Sequence, residues 1–156
     1  MERVIVIGGG IAGMKTALDL NRRGFGVTII EKENRLGGKV LGWHRLFPTF
    51  TPANEVVDTL KAEVASSDIE VCLGTCATAF TEHSVTLSDG TRLDCDAVVL
   101  CSGFTLFDAR IKEEYGYGIY DNVITSADLE EMFNQGRVGL KNGGRPRRIA
   151  FLHCVG

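Results

Sequence analysis

The stretch VIVIGGGIAG, residues 4–13, constrains this chain more than any other. Val4–Ile7 is wholly apolar, which suits a strand whose two faces are both covered. Gly8-x-Gly10-x-x-Gly13 follows at once. Ile11–Arg23 then repeats apolar side chains (Met14, Ala17, Leu18, Leu20) at helical spacing, with Gly24 as the stop. A second strand is predicted over Val27–Glu31. Strand, glycine turn, helix and strand in so short a span predict a right-handed βαβ unit with a parallel sheet. Each glycine has its own task. Gly8 permits the tight turn, Gly10 lets backbone approach a pyrophosphate, and Gly13 lets helix and strand pack closely. Ile11 and Ala12 sit at the helix mouth, where unpaired N–H groups and the helix dipole favour phosphate. Glu31 is placed to accept from both ribose hydroxyls of a dinucleotide and to repel a 2′-phosphate.

The rest of the chain extends the same architecture. Thr51-Pro52 reads as an N-cap and first-turn proline for a helix with Val56, Val57, Leu60 and Val64 inward. Ile69–Leu73 is predicted as a third parallel strand. Ala77–Thr81, Ser84–Leu87 and Thr91–Asp94 alternate in polarity, and the Asp-Gly of Ser88–Thr91 marks a hairpin. Ala97–Leu100 returns to a continuous apolar strand. Asp108–Asn122 is a polar loop rich in glycine and tyrosine. Ser126 caps a short helix with Leu129, Met132 and Phe133 on its apolar side. Gly139–Arg148 reads as a linker, and Ile149–Val155 as a final strand. The fold class is therefore α/β, a Rossmann-like parallel sheet with a small antiparallel β-meander. Residues 1–138 are expected as the nucleotide-binding domain, with residues 139–156 a linker and strand beyond it.

Composition narrows the function. Glycine is in surplus, 19 of 156 residues, as expected where backbone must turn or approach a ligand closely. A net charge of −3 gives no basic field for nucleic acid, and GGRPRR (Gly143–Arg148) reads as a solvated linker. No apolar run in the sequence is long enough to span a membrane, and no secretory leader is expected before the first strand. The five cysteines are odd in number and lack zinc-site spacing. Cys95, Cys101 and Cys154 are expected as small buried hydrophobes in a reduced, cytoplasmic protein.

The choice of dinucleotide turns on EKENRLGGKV, residues 31–40. A second glycine pair, Gly37-Gly38, and the basic Lys39 follow the ribose acid closely. A flavin nucleotide has use for such a second approach loop. These residues resemble the glutathione reductase/amine oxidase class of FAD-binding flavoproteins, whose motif covers Gly8, Gly10, Gly13, Glu31, Gly37 and Gly38. The resemblance implies Lys32 near the adenosine, Arg35 and Lys39 near the pyrophosphate, and Ala77 at the adenine edge. It also implies Ser102-Gly103 as the strand-end motif, with Cys101-Ser102 departing from the usual Ala-Thr. GFTLFDARIKEEYGYGIYDNVITSADLEEMF (Gly103–Phe133) and RPRRIAFLHCVG (Arg145–Gly156) narrow the resemblance to the flavin-bearing A-type subunit of heterodisulfide reductase. That implies FAD as cofactor, an electron-transferring oxidoreductase, and iron–sulfur or other redox subunits as partners. NAD(P) use by the longer family proteins stays open.

Two departures limit the carry-over. Gly42–Val56 has no cysteine where relatives carry an iron–sulfur stretch, so no metal is assigned. Family chains continue past Cys154-Val155-Gly156, and the resemblance implies that residues 139–156 are the linker and first strand of a truncated second nucleotide-binding domain, so poor FAD affinity and negligible turnover are expected. No catalytic residue is assigned, since His44, His83 and His153 have no cysteine or carboxylate partner in the pattern. Trp43 and Phe47 read as apolar loop anchors. The alternatives are a small NAD-binding dehydrogenase domain and a non-catalytic nucleotide-binding or docking module.

Overall fold

Alternation along each strand decides which side chains enter which layer of this fold. In the computed structural model, which describes residues 1–153, β1 (Arg3–Ile7) lies centrally in a parallel sheet. It is followed by α1 (Ile11–Arg22), β2 (Gly26–Glu31), a 3-10 turn at Gly38–Gly42, and the two-residue strands β3 (Arg45–Leu46) and β4 (Thr51–Pro52). Then come α2 (Ala53–Ala65), β5 (Glu70–Leu73), β6 (Ala77–Thr81), β7 (Ser84–Leu87), β8 (Arg92–Asp94), β9 (Ala97–Leu100) and α3 (Ser126–Asn134). The main sheet has four strands in the order β5-β2-β1-β9. Val4 is level with Val27 on one side and Ala97 on the other.

Val6 and Ile29 face the helices, where they join Met14, Ala17 and Leu18 of α1 and Val57, Leu60 and Val64 of α2. Ile5 and Ile30 face the opposite way, against Val85 and Leu87 of the meander β6-β7-β8. Both faces of β1 and β2 are thus covered, which explains their uninterrupted apolar character. Val85 is fully buried, and the hairpin at Ser88–Thr91 places Gly90 at φ +87°.

Several boundaries differ from the sequence reading. Thr51-Pro52 pairs with Arg45–Leu46 as β4, and α2 starts after Pro52 with no side-chain cap. The short helix is capped by Thr125, not Ser126. The Thr125 hydroxyl accepts from the Asp128 N–H at 3.2 Å, and the Asp128 carboxylate accepts from the Thr125 N–H at 2.7 Å. The fifth strand is an edge, with Val71 and Leu73 substantially exposed.

The expected final strand is corrected over Ile149–His153, which form no strand. Ile149, Phe151 and Leu152 are each more than 60% exposed there (61%, 66% and 65%), and among the described residues no strand pairs with them. Cys154 to Gly156 lie outside the described residues. The expected linker is in part held down: Lys141 pairs with Asp121 at 2.7 Å and its N–H donates to Asn122 at 3.0 Å.

The Thr125–Asp128 box makes the cap of α3 sensitive to acid. Burial opposes ionisation of Asp128, yet the Thr125 N–H and hydroxyl, then Tyr117 and Arg110, outweigh it and hold the carboxyl below its usual range. The folded pKa is depressed, so the contribution is present above the unfolded value of about 4 and is lost as pH falls through the folded value. Asp128→Asn is expected to cost about 1 kcal/mol at neutral pH, and the gap from the parent should close in acid. Urea unfolding at several pH values measures it; a gap that widens toward low pH contradicts the assignment.

Candidate nucleotide-binding site

The strand order places a crevice before any residue is named. From β1 the chain moves to β2 and β5 on one side, and β9 is then added on the other. The order reverses between β1 and β9, and ligands of open α/β sheets bind outside the carboxyl ends of strands at such a reversal. Gly8 follows β1 and Cys101-Ser102-Gly103 follow β9, so both segments lie at that point.

The turn is tightly fitted on two sides and open on a third. A Cβ on Gly8, which has φ +112°, would meet the Cys101 carbonyl oxygen at 2.2 Å. One on Gly13 would meet the Gly8 carbonyl oxygen at 1.7 Å. One on Gly10 would meet nothing within 4 Å. Gly10 is the N-cap residue of α1, in extended conformation and without a side-chain cap. The first N–H groups of α1, including those of Ile11 and Ala12, therefore face the open side without a competing cap.

The second glycine pair packs onto the first turn. The Gly37 N–H donates to the Gly9 carbonyl at 2.8 Å, and Gly10 and Gly37 form an isolated parallel bridge. Gly38, at φ +60°, comes so close that a Cβ would lie 3.1 Å from the Gly10 Cα. The segments at 8–13 and 37–38 are thus one surface.

Glu31 is buried, 6% exposed, with its carboxylate in the loop. One oxygen accepts from the Gly9 N–H at 2.6 Å and the other from the Glu33 N–H at 2.8 Å. Each carboxylate oxygen keeps a further acceptor direction, which fits a ribose hydroxyl. The glycine motif does not single out Gly9. It is the backbone donor that orients the acid, and the unbroken GGG run is its only trace in the sequence. The turn after β5 closes the same loop, as Gly74 N–H donates to the Glu33 carbonyl at 3.0 Å and Thr75 N–H to that of Glu31 at 3.2 Å.

The remaining residues of the expected site lie on the segments that follow β2, the glycine pair, β5 and β9. Lys32 is exposed and pairs loosely with Glu33 at 3.8 Å, and Arg35 is exposed. The Lys39 ammonium lies 5.4 Å from the centre of the Phe104 ring, joining the glycine-pair loop to the residue after Ser102-Gly103. Ser102 and Gly103 are exposed, Gly103 at φ +73°. Ala77 opens β6 and packs half-buried against the meander core. Trp43 is half-buried, whereas Phe47 is 85% exposed and does not anchor its loop.

Among the described residues the cysteines and histidines gather into no metal centre. Cys72, Cys76, Cys95 and Cys101 are free thiols. Burial, then neighbouring carboxylates, push the Cys72 and Cys95 thiols up. The His44 ring stacks on Phe133 while its backbone N–H donates to Glu130. Among the described residues no group of three or more metal-ligating side chains occurs, and no helix is long and apolar enough to cross a membrane.

A parallel sheet covered by helices on one face and a meander on the other, with a glycine turn at its reversal point, defines a Rossmann-like α/β domain of the dinucleotide-binding class. The chain belongs to the pyridine nucleotide-disulphide oxidoreductase family, an FAD-binding oxidoreductase family whose model matches residues 2–136. It is 26% identical over 242 residues to the iron-sulfur A-type subunit of CoB–CoM heterodisulfide reductase from Methanocaldococcus jannaschii, covering 97% of this chain and 37% of that protein. It is 29% identical over 245 residues to one of the iron-sulfur A-type subunits of the same enzyme from Methanopyrus kandleri, covering 99% of this chain and 37% of that one. These matches are longer than the 156 residues of this chain, so the relatives carry residues between matched parts that have no counterpart here. The chain spans little more than a third of their length. Among solved structures, the ferredoxin reductase for the CYP199A2 system of Rhodopseudomonas palustris is similar, with TM-score 0.50 and 26% identity over 65% of this chain and 24% of that one. The expected fold class and the resemblance to the A-type subunit of heterodisulfide reductase both stand.

Proposed function

We propose that this chain binds FAD and serves as the adenosine- and diphosphate-holding part of an electron-transferring flavoprotein oxidoreductase, of the kind found in the A-type subunits of heterodisulfide reductase. The observation that carries this reading is the packing of Gly37-Gly38 onto Gly9-Gly10, which joins two glycine turns into one surface for an extended dinucleotide. When bound, FAD supplies the redox chemistry through its isoalloxazine ring. The chain's own residues bind and orient.

Gly10, Ile11, Ala12 and Gly13 present backbone N–H groups and the positive end of the α1 dipole to the diphosphate. Gly8 keeps that turn against β9. Glu31, held by two backbone donors, accepts from the ribose. Arg35 and Lys39 offer charge to the diphosphate and Lys32 to the adenosine, while Ala77 meets the adenine edge. Ser102-Gly103 continue the surface toward the ribityl chain. Partners are iron–sulfur or other redox subunits of an electron-transfer complex; the relatives are themselves named as one subunit of a reductase. The reading further assigns residues 1–138 to this domain and 139–156 to the approach to a second one, in a reducing cytoplasm that suits four free thiols. Because the site is assigned only the adenosine half of the flavin, its affinity is expected to be modest.

Glu31→Gln tests the ribose assignment. An amide accepts at one oxygen and sets a donor against the other backbone N–H, so stability should fall by about 1–3 kcal/mol. FAD affinity should fall roughly tenfold, in line with loss of a charge-assisted hydrogen bond. Flavin fluorescence titration of the folded variant measures this; unchanged affinity means that the ribose lies elsewhere.

A further inference from the structure

Three chain segments come together around the first glycine turn: Gly37-Gly38 packs on Gly9-Gly10, and the Cys101 carbonyl abuts Gly8. Lys39 directly follows Gly38, whose backbone touches Gly10. Phe104 directly follows Ser102-Gly103, beyond the Cys101 carbonyl on which Gly8 packs. The Lys39 ammonium sits over the Phe104 ring at 5.4 Å from its centre, within the distance at which the ring's negative face attracts a cation. Phe104 is 53% exposed and belongs to neither core cluster, so packing alone does not account for its position. Lysine is a flexible point charge that loses much rotamer freedom when fixed. A ring that holds its ammonium beside the glycine surface prepays part of that loss before an anion arrives.

Building on the FAD reading, we propose that Phe104 is a positioning residue for the diphosphate: its ring holds the Lys39 ammonium at the mouth of the joined glycine turns. The ring acts through Lys39 and need not touch the nucleotide. Its effect should therefore vanish when the ammonium is gone, and should survive exchange for another aromatic face.

The experiment is FAD titration by fluorescence at low and high salt for the parent chain, Phe104→Ala, Phe104→Tyr, Lys39→Ala and the double variant Lys39→Ala/Phe104→Ala. Phe104→Ala is expected to weaken FAD binding about two- to fivefold, the range for an exposed cation–ring contact, with little change in thermal midpoint. Phe104→Tyr should restore the parent value. Lys39→Ala should weaken binding further and flatten the salt dependence, and adding Phe104→Ala to it should cost nothing more. An equal loss from Phe104→Ala with and without Lys39 overturns the proposal, because the ring then acts by itself. So does tighter binding by Phe104→Ala, which would make the ring a competitor for the ammonium. A parent chain that binds no FAD refutes the FAD reading itself, a result distinct from either.

Discussion

Gly13→Ala is expected to be the most damaging single-methyl change in this chain. Its Cβ would sit 1.7 Å from the Gly8 carbonyl oxygen and 2.9 Å from the carbonyl carbon. Neither is a side-chain tip that can swing away. The Gly8 N–H is fixed to the Ile30 carbonyl at 2.8 Å, and the far side of Gly8 already abuts the Cys101 carbonyl. Relief would require α1 to lift from the sheet, breaking the contacts of Met14, Ala17 and Leu18 with Val6 and Ile29. A loss of about 3 kcal/mol or more follows, or roughly a 10 °C fall in midpoint for a chain of this size. Gly42→Ala is the control, since a Cβ there meets nothing within 4 Å; it should stay within about 0.5 kcal/mol of the parent. Equal midpoints for the two variants would contradict the close-packing role of Gly13.

Gly10→Val is expected to separate binding from folding. Gly10 has φ −74°, which any L residue adopts, and its Cβ direction is empty to 4 Å. The fold should tolerate the change at a cost of about 1 kcal/mol, mostly from a poorer N-cap. The isopropyl group would stand where the diphosphate must approach the backbone. FAD affinity should fall on the order of a hundredfold, about 2.7 kcal/mol, because displaced phosphate oxygens lose several N–H donors at once. A variant that folds and binds FAD like the parent would place the diphosphate elsewhere.

These two glycines show what was legible in the sequence. Gly8, Gly10, Gly13 and Glu31 sit between an apolar strand and a helix, so local spacing was enough to place them. The same holds for the Asp-Gly hairpin between β7 and β8. Contacts across long separations left weaker traces. The Gly9 N–H serves a carboxylate 22 positions away, and only a repeated glycine hinted at it. Lys39 and Phe104 are joined by tertiary packing with no sequence signature at all. Thr125 caps α3 although Ser126 is an equally good cap by residue type, because Asp128 lies three residues beyond Thr125 and completes the reciprocal pair. Ile149–His153 has the apolar character of a strand, yet character without a neighbouring ladder makes none.

On the FAD reading, a flavin dinucleotide occupies the surface where the two glycine turns join. Equilibrium titration of the parent chain with FAD and, separately, with NAD, followed by flavin and intrinsic tryptophan fluorescence, tests it most directly. Saturable FAD binding that ADP displaces is expected, with NAD bound more weakly. NAD bound more tightly than FAD, or saturable binding of neither, would contradict it.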